Sequence, residues 1–351
     1  MKKDSEYALA DWAANGLERV EHCPICDSAQ RIQLHDDLTD RVFRCAPGRW
    51  DLYQCEDCRS AYLDPRPTKD TIHLAYQTYY THEKRNRQKT ESLRPWRKFV
   101  RALANGYRNR QYGTRLKPES PMGTWLIPLF PRLRRTLDRE LRYLPPLRQG
   151  AKLLDVGFGS GAFLLFAQKG GWEVYGADPD PVAVANARQA GLNARQGGIE
   201  AYSDFTAHFD VITMNHVIEH VHDPVAVIEQ AYRLLKPGGS LHIDTPNIDA
   251  YGHRAFKAHW RGLEVPRHLV LFNWASLKRV NQEAGFKEIR NIYSFHTYAS
   301  LARASRSIEK GIDPYASRKT KVRDVLMGWF YSCIPLFSNK KTEFITMIAI
   351  K

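Results

Sequence analysis

Leu153-Leu154-Asp155-Val156-Gly157-Phe158-Gly159-Ser160-Gly161 reads as an apolar strand that ends in a carboxylate and a glycine-rich turn, with an apolar helix starting at Ala162. Glycines at 157, 159 and 161 let a ligand approach the backbone, because no Cβ stands in the way. Taken alone, Gly157-x-Gly159-x-x-Ala162 also fits the fingerprint of a dinucleotide site. Asp155 separates the two readings. A carboxylate two residues before the first glycine suits a ligand bearing an ammonium group, held directly or through water, and repels a pyrophosphate.

S-adenosylmethionine carries such an ammonium. The next apolar run, Val174-Tyr-Gly-Ala-Asp178, ends in a second carboxylate 23 residues after the first. There it can accept hydrogen bonds from both hydroxyls of a ribose, with Pro179 directly behind it. Its other use is as a helix cap ahead of Asp180-Pro181. Gly197-Gly198-Ile199-Glu200 follows a short strand, at the place where such folds flank an adenine.

Outward from these motifs, short apolar runs alternate with helical stretches, the pattern of a parallel sheet covered on both faces. Strands are expected over 151–156, 173–178, 209–215 and 239–245, and helices near 160–170, 181–190 and 223–235. A helix near 274–284 and strands near 286–293 and 343–350 complete the set. Three parts follow from this: 1–67, 68–146 and 147–351.

The first part is rich in cysteine and ends at Asp64-Pro65-Arg66-Pro67, whose prolines favour an extended exit. Cys23-Pro-Ile-Cys26 and Cys55-Glu-Asp-Cys58 are two C-x2-C knuckles. Folded together they offer four thiolates to one tetrahedral zinc ion, which would hold structure rather than do chemistry. Cys45 could compete with Cys55 or Cys58 as a ligand, and Cys333 stands alone as a packing residue.

The formal charge is +14, and residues 84–142 alone hold 17 basic and 4 acidic side chains. The rest of the chain is therefore almost neutral. Between 68 and 146 the pattern is helical, with Trp96, Phe99, Val100, Leu103 and Tyr107 at steps of three and four. That basic connector admits three uses: a solvated link, a nucleic-acid face, or contact with anionic membrane lipids. Apolar and aromatic residues in Trp125-Leu-Ile-Pro-Leu-Phe130 and Val325-Leu-Met-Gly-Trp-Phe-Tyr331 favour the membrane or a greasy acceptor over nucleic acid. The N-terminal Met-Lys-Lys-Asp-Ser-Glu lacks the apolar run of a secretory signal, and no stretch reaches the ~18 apolar residues of a span. The expected location is cytoplasmic, with peripheral membrane contact through 84–142 left open.

Two further stretches complete the pattern: Phe209-Asp210-Val-Ile-Thr-Met-Asn215-His216-Val-Ile-Glu219-His220-Val-His-Asp223-Pro224 and Leu234-Leu-Lys-Pro-Gly-Gly239. With them the sequence resembles class I S-adenosylmethionine-dependent methyltransferases over about residues 151–295. The resemblance implies a doubly wound, mostly parallel seven-stranded sheet of the Rossmann-like kind. It also implies cofactor contacts at Asp155, Gly157, Phe158, Gly159, Gly161, Asp178, Pro179, Gly198, Ile199, Met214 and Asn215. Phe158 departs from many relatives, which carry a small or polar residue there. Upstream, the paired cysteines, Tyr62-Leu-Asp-Pro65-Arg66-Pro67 and the tyrosines 76, 79 and 80 resemble the subset of that family with an N-terminal zinc module.

Methyl transfer from a sulfonium is an in-line displacement in which positioning supplies much of the rate. A base helps when the acceptor is a hydroxyl or an acidic carbon. His220, after the fourth strand, and His268, in the loop Trp260-Arg-Gly-Leu-Glu-Val-Pro-Arg267-His268 after the fifth, are the two candidates. Each has packing near the cofactor as its other use, and Glu219 could orient one of them. The acceptor is expected to be a small molecule: a sugar, glycolipid, polyketide-like or quinone-like compound. RNA methylation is disfavoured, because Asn215-His-Val-Ile stands where an Asn-Pro-Pro-Tyr motif would be needed and no RNA-binding module is present. A non-catalytic interaction protein would have little use for Asp155, the glycine turn and Asp178 together.

Overall fold

The computed structural model describes residues 11–76, 95–292, 298–315, 322–324, 326–327 and 341–351. The N-terminal hexapeptide, Tyr79, Tyr80, residues 84–94 of the basic segment, Val325 and residues 328–331 of the second apolar stretch, and Cys333 lie outside the described residues.

The strands in chain order are β1 Leu17–Glu18, β2 Arg31–Leu38, β3 Trp50–Cys55, β4 Ala61–Leu63, β5 Arg66–Pro67, β6 Lys152–Val156, β7 Glu173–Asp178, β8 Asn193–Gln196, β9 Phe209–Asn215, β10 Leu235–Pro246, β11 Val270–Leu271, β12 Glu288–Ile292 and β13 Phe344–Ile350. One sheet has seven strands in the order β12-β13-β10-β9-β6-β7-β8. Pairs β6–β7, β6–β9 and β7–β8 are parallel and β12–β13 is antiparallel. This is the doubly wound order, with a crossover between β6 and β9. The expected strands fall within a residue or two of these bounds except β10. It starts at Leu235, running through Gly238, which has a positive φ of 75°, and Gly239, whose backbones bond to Lys351.

The chain divides into two compact units: Tyr80–Met214 with Arg233–His242 and Lys351 in one, and Met1–Tyr79, Asn215–Tyr232 and Ile243–Ile350 in the other. In the first, β6 and β9 are buried on both faces, which is why they read as unbroken apolar runs. Leu153, Leu164, Ala167, Trp172, Val174 and Val211 share one core with Tyr107, Tyr112, Leu137, Leu141 and Leu144. The basic connector thus contributes to that core. Its apolar stripe divides: Tyr107 is buried, whereas Trp96, Phe99 and Val100 are exposed.

In the second unit the cysteine-rich part holds more strand than its turn-rich sequence implies. An antiparallel sheet runs β11-β4-β3-β2. Trp50 and Leu52 alternate inward along β3, and Ala61, Tyr62 and Leu63 of β4 are fully buried. Val270 and Leu271 pair with Tyr62 and Ala61. The N-terminal sheet therefore takes a strand from far along the chain, which covers the edge that β4 would otherwise expose.

Candidate functional site

The first constellation gathers at the carboxyl ends of β6, β7 and β9. Gly157, Gly159 and Gly161 have φ of 67°, 55° and 68°, a conformation that side chains with a Cβ rarely adopt. A Cβ at Gly159 would meet nothing within 4 Å, so the turn leaves space above its backbone. Asp178 ties the turn down: its Oδ2 accepts from the Gly159 N–H (2.7 Å) and its Oδ1 from the Asp180 N–H (3.0 Å). The helix Pro181–Gln189 is capped by Asp180, whose Oδ1 accepts from Val182. Asp178 is therefore not the cap.

Asp155 is fully buried. Its Oδ1 accepts from the Thr213 hydroxyl at 2.8 Å and from the Arg142 guanidinium, while its Oδ2 has no hydrogen-bond partner among the described residues. Burial pushes the Asp155 carboxyl up, with Arg142 and Thr213 opposing. Arg142 is itself fixed, with a φ of 49°, a guanidinium 3.8 Å above the Phe163 ring and a carbonyl bonded to His242 Nδ1. Neither partner of Asp155 belongs to the glycine-turn motif. Thr213 lies opposite Asp155 in the parallel register and could have been found from that pairing. Arg142 arrives on an irregular loop and carries no signal beyond its charge.

The remaining residues of this constellation have different surroundings. Phe158 points into the core, against the bare face of Gly176, where a Cβ would come within 2.6 Å of its ring. Met214 is fully buried and Asn215 half-buried at the end of β9. Gly198 donates its N–H to Glu200 Oε1, Ile199 is buried, and Pro179 is exposed.

The second constellation is built on the segment after β9 and the loop ahead of β11. One polar atom from each of Glu219, His220 and His268 lies within 4.8 Å of the others. The His220 and His268 rings meet edge to face at 4.8 Å. Glu219 is buried and accepts from Thr245 Oγ1 at 2.9 Å, with His216 Nδ1 at 3.3 Å. Burial acts against its charge, yet His216, His220 and His268 hold it down at about 2. His220 Nδ1 stands 3.0 Å from both the Tyr76 hydroxyl and the Arg267 carbonyl. His268 donates Nδ1–H to the Gly262 carbonyl at 2.8 Å, which leaves Nε2 facing Glu264 at 3.7 Å. Burial pushes His268 down to about 4, so the ring is neutral at pH 7.

Arg267, fully buried, fixes that loop. Its guanidinium pairs with both oxygens of Asp40 and donates to the Ala75 carbonyl. Asp40 also accepts from the N–H groups of Val42, Phe43, Cys45 and Ala46. Residues 40–46 and 75–76 are thereby joined to the histidine loop, a link between distant segments that no local pattern reveals.

The third constellation is the cysteine cluster. Sγ atoms of Cys23, Cys26, Cys55 and Cys58 all lie within 4.8 Å of one another, with Cys23–Cys58 at 3.6 Å and Cys26–Cys55 at 3.5 Å. A tetrahedron with Zn–S bonds of ~2.3 Å has edges of about 3.8 Å, so these thiols fit the ion. The two knuckles are built alike: Cys23 and Cys55 donate N–H to Ser28 and Ser60, and Asp27 and Arg59 have φ of 59° and 60°. Cys45 lies apart, its thiol on Asp40 and the Ala75 carbonyl.

Residues 129–291 match the family described as Methyltransferase domain. Ubiquinone biosynthesis O-methyltransferase from Cereibacter sphaeroides is 39% identical over 116 residues, covering 31% of this chain and 47% of the relative. The protein of the same name from Xanthomonas oryzae is 37% identical over 105 residues, covering 28% and 44%. The chain spans less than half the length of these relatives. Among solved structures, phosphoethanolamine N-methyltransferase 2 from Haemonchus contortus, in complex with S-adenosyl-L-methionine, is similar with a TM-score of 0.46 and 19% identity, over 83% of this chain and 62% of that one.

Proposed function

Because residues 129–291 form a methyltransferase domain, we propose that the protein transfers a methyl group from S-adenosylmethionine to a hydroxyl of a small, quinone-like acceptor. The observation that carries this reading is Asp155, a buried carboxylate with one oxygen unpartnered beside a glycine turn. An unsatisfied buried acceptor is costly, and a ligand ammonium would relieve that cost. Arg142, held on the other oxygen, offers a cation to the carboxylate of the same amino-acid end. Asp178 is assigned to the ribose hydroxyls and Gly198 and Ile199 to the adenine. Gly157, Phe158, Gly159, Gly161, Pro179, Met214 and Asn215 line the site, Phe158 through its backbone.

When bound, the cofactor supplies an electrophilic methyl carbon on a sulfonium. The chain's part is to hold, orient and deprotonate. Of the two histidines, His220 is the better base. It is partly exposed, and its Nδ1 is anchored by Tyr76 and Arg267, which leaves Nε2 for the acceptor proton. His268 is 4% exposed and holds a proton poorly, so it serves as a neutral neighbour that keeps the His220 ring in place. Buried, ionised Glu219 stabilises the imidazolium that proton uptake creates. The relatives named as O-methyltransferases of ubiquinone biosynthesis support an oxygen acceptor on a quinone-like ring. Zinc held by Cys23, Cys26, Cys55 and Cys58 is structural in this reading. The division into a zinc module over 1–67, a connector over 68–146 and a transfer domain over 147–351 belongs to the same proposal.

Calorimetric titration with S-adenosylmethionine, S-adenosylhomocysteine and NADH tests the cofactor. Saturable binding of the first two alone is expected, and Asp178→Ala weakens it while leaving the fold intact. Binding of NADH alone would make the glycine turn a dinucleotide site and overturn the reading.

A further inference from the structure

Of fourteen large apolar side chains exposed among the described residues, eight lie between residues 96 and 133: Trp96, Phe99, Val100, Met122, Trp125, Leu129, Phe130 and Leu133. Trp125 and Leu129 are 79% and 72% exposed. An apolar concentration of this kind is unusual on a soluble surface and marks a place where something binds. Four helical elements bear most of it: the long helix Pro95–Tyr112, the short turns Gly123–Leu126 and Ile127–Leu129, and Pro131–Glu140, which holds Leu133.

The packing shows why these residues stand together. Ser120 donates its N–H to the Ala102 carbonyl, and two glycines allow contact at the backbone. A Cβ at Gly106 would fall 1.8 Å from the Ser120 carbonyl oxygen, and one at Gly123 would fall 1.8 Å from that of Leu103. The turn bearing Met122 and Trp125 is therefore seated one helical turn from Phe99 and Val100. The same helix buries Tyr107 and Tyr112 in the core, so its exposed first turns are anchored by a well-packed second half.

Charge identifies the occupant. Residues 95–139 hold eleven basic side chains and two acidic, Glu119, which is paired with Lys117, and Asp138, whose Oδ1 takes the Tyr107 and Tyr112 hydroxyls. Arg97, Lys98 and Arg101 are exposed on the helix that carries Trp96, Phe99 and Val100, and Arg132 and Arg134 flank Leu133. Arg97 lies over the Trp96 ring at 5.4 Å. Apolar and aromatic tips rimmed by cations match an interface where acyl chains meet anionic headgroups. A single-stranded nucleic acid would gain nothing from Val100, Leu129 and Leu133, because it needs planar rings along a basic track.

From these observations we infer that residues 95–139 form a docking surface for a bilayer rich in anionic lipid. Membrane docking does not depend on methyl transfer, because vesicle binding and cofactor titration are independent measurements. The test is co-sedimentation of the full chain with phosphatidylcholine vesicles, with and without about 30% phosphatidylglycerol. Binding to the anionic vesicles alone, weakened by salt, is expected. The triple variant Arg97→Glu, Lys98→Glu, Arg101→Glu removes three favourable charges at about fivefold each in partition, so binding falls at least about 100-fold. Trp125→Ser with Leu129→Ser also releases the protein, while both variants keep the wild-type circular dichroism. Equal binding to neutral vesicles, no binding, or undiminished binding of the triple variant would overturn the proposal. So would a dimer that the Trp125, Leu129 variant dissolves, or binding of single-stranded RNA in preference to vesicles.

Discussion

His220 and His268 touch ring to ring, yet their surroundings assign them different work. His268 donates one nitrogen to a carbonyl inside the protein and is held neutral by burial, so replacing it removes a support. His220 has Nδ1 fixed and remains partly exposed, so in the proposed mechanism replacing it removes the proton acceptor itself. His220→Asn is expected to lower kcat by roughly 10²–10⁴-fold, with cofactor affinity unchanged. His268→Asn should cost far less. Equal losses would show that neither ring takes the proton. Both histidines were legible because they sit in motifs at strand ends, where ligands of open α/β sheets gather. Arg142, Tyr76 and Arg267 were not, since each reaches its partner from a distant loop and basic or aromatic character alone says nothing about where a side chain ends.

Strands β6, β7 and β9 could be read directly, because a strand buried on both faces reads as a nearly continuous apolar run, whereas the polar, half-exposed β8 gave no such run. β2, β3 and β4 escaped that reading: β2 is mostly solvent-facing and irregular in its register with β3, β4 is three residues long, and β11 is only two. The zinc knuckles and this sheet are one element. Cys55 ends β3, and Asn273, just after β11, donates its side-chain N–H to the Cys58 carbonyl. Cys23→Ser with Cys26→Ser should therefore release about one zinc per chain and loosen strands far from the two serines. Hydrogen exchange would report it: amides of 50–63 and 269–272 lose protection while those of β6 and β7 keep theirs. Metal retained by the variant would remove the four-thiolate assignment.

Across the whole molecule, division into two units does not follow chain order, since the segment after β9 and everything beyond His242 except Lys351 cluster with the N-terminal residues. Boundaries at 67 and 146 follow chain order, while the tertiary links Arg267–Asp40 and β4–β11 join residues from either side of them. Acid stability is a property of this scale. His35, His242 and His268 are each pushed down to about 4, chiefly by burial. For such groups the unfolded chain binds the extra proton between pH 4 and 6.5, so stability is complete above 6.5 and is lost as pH falls toward 4. Glu343 acts in the opposite sense: burial raises it to about 7, so its contribution falls as pH rises from about 4.5 to 7. Three histidines outweigh one carboxyl, and unfolding free energy should climb from pH 4 to 6.5. His242 isolates one of these contributions, because among the described residues its nitrogens meet Ser240 Oγ and the Arg142 carbonyl, partners that a glutamine amide can also meet. Urea unfolding of His242→Gln should show a slope smaller than wild type by one proton, about 1.4 kcal/mol per pH unit within that window. The difference accumulates to about 3 kcal/mol at pH 4, relative to pH 7. Parallel wild-type and variant curves would mean that His242 is protonated in the folded protein, with its strand open to water.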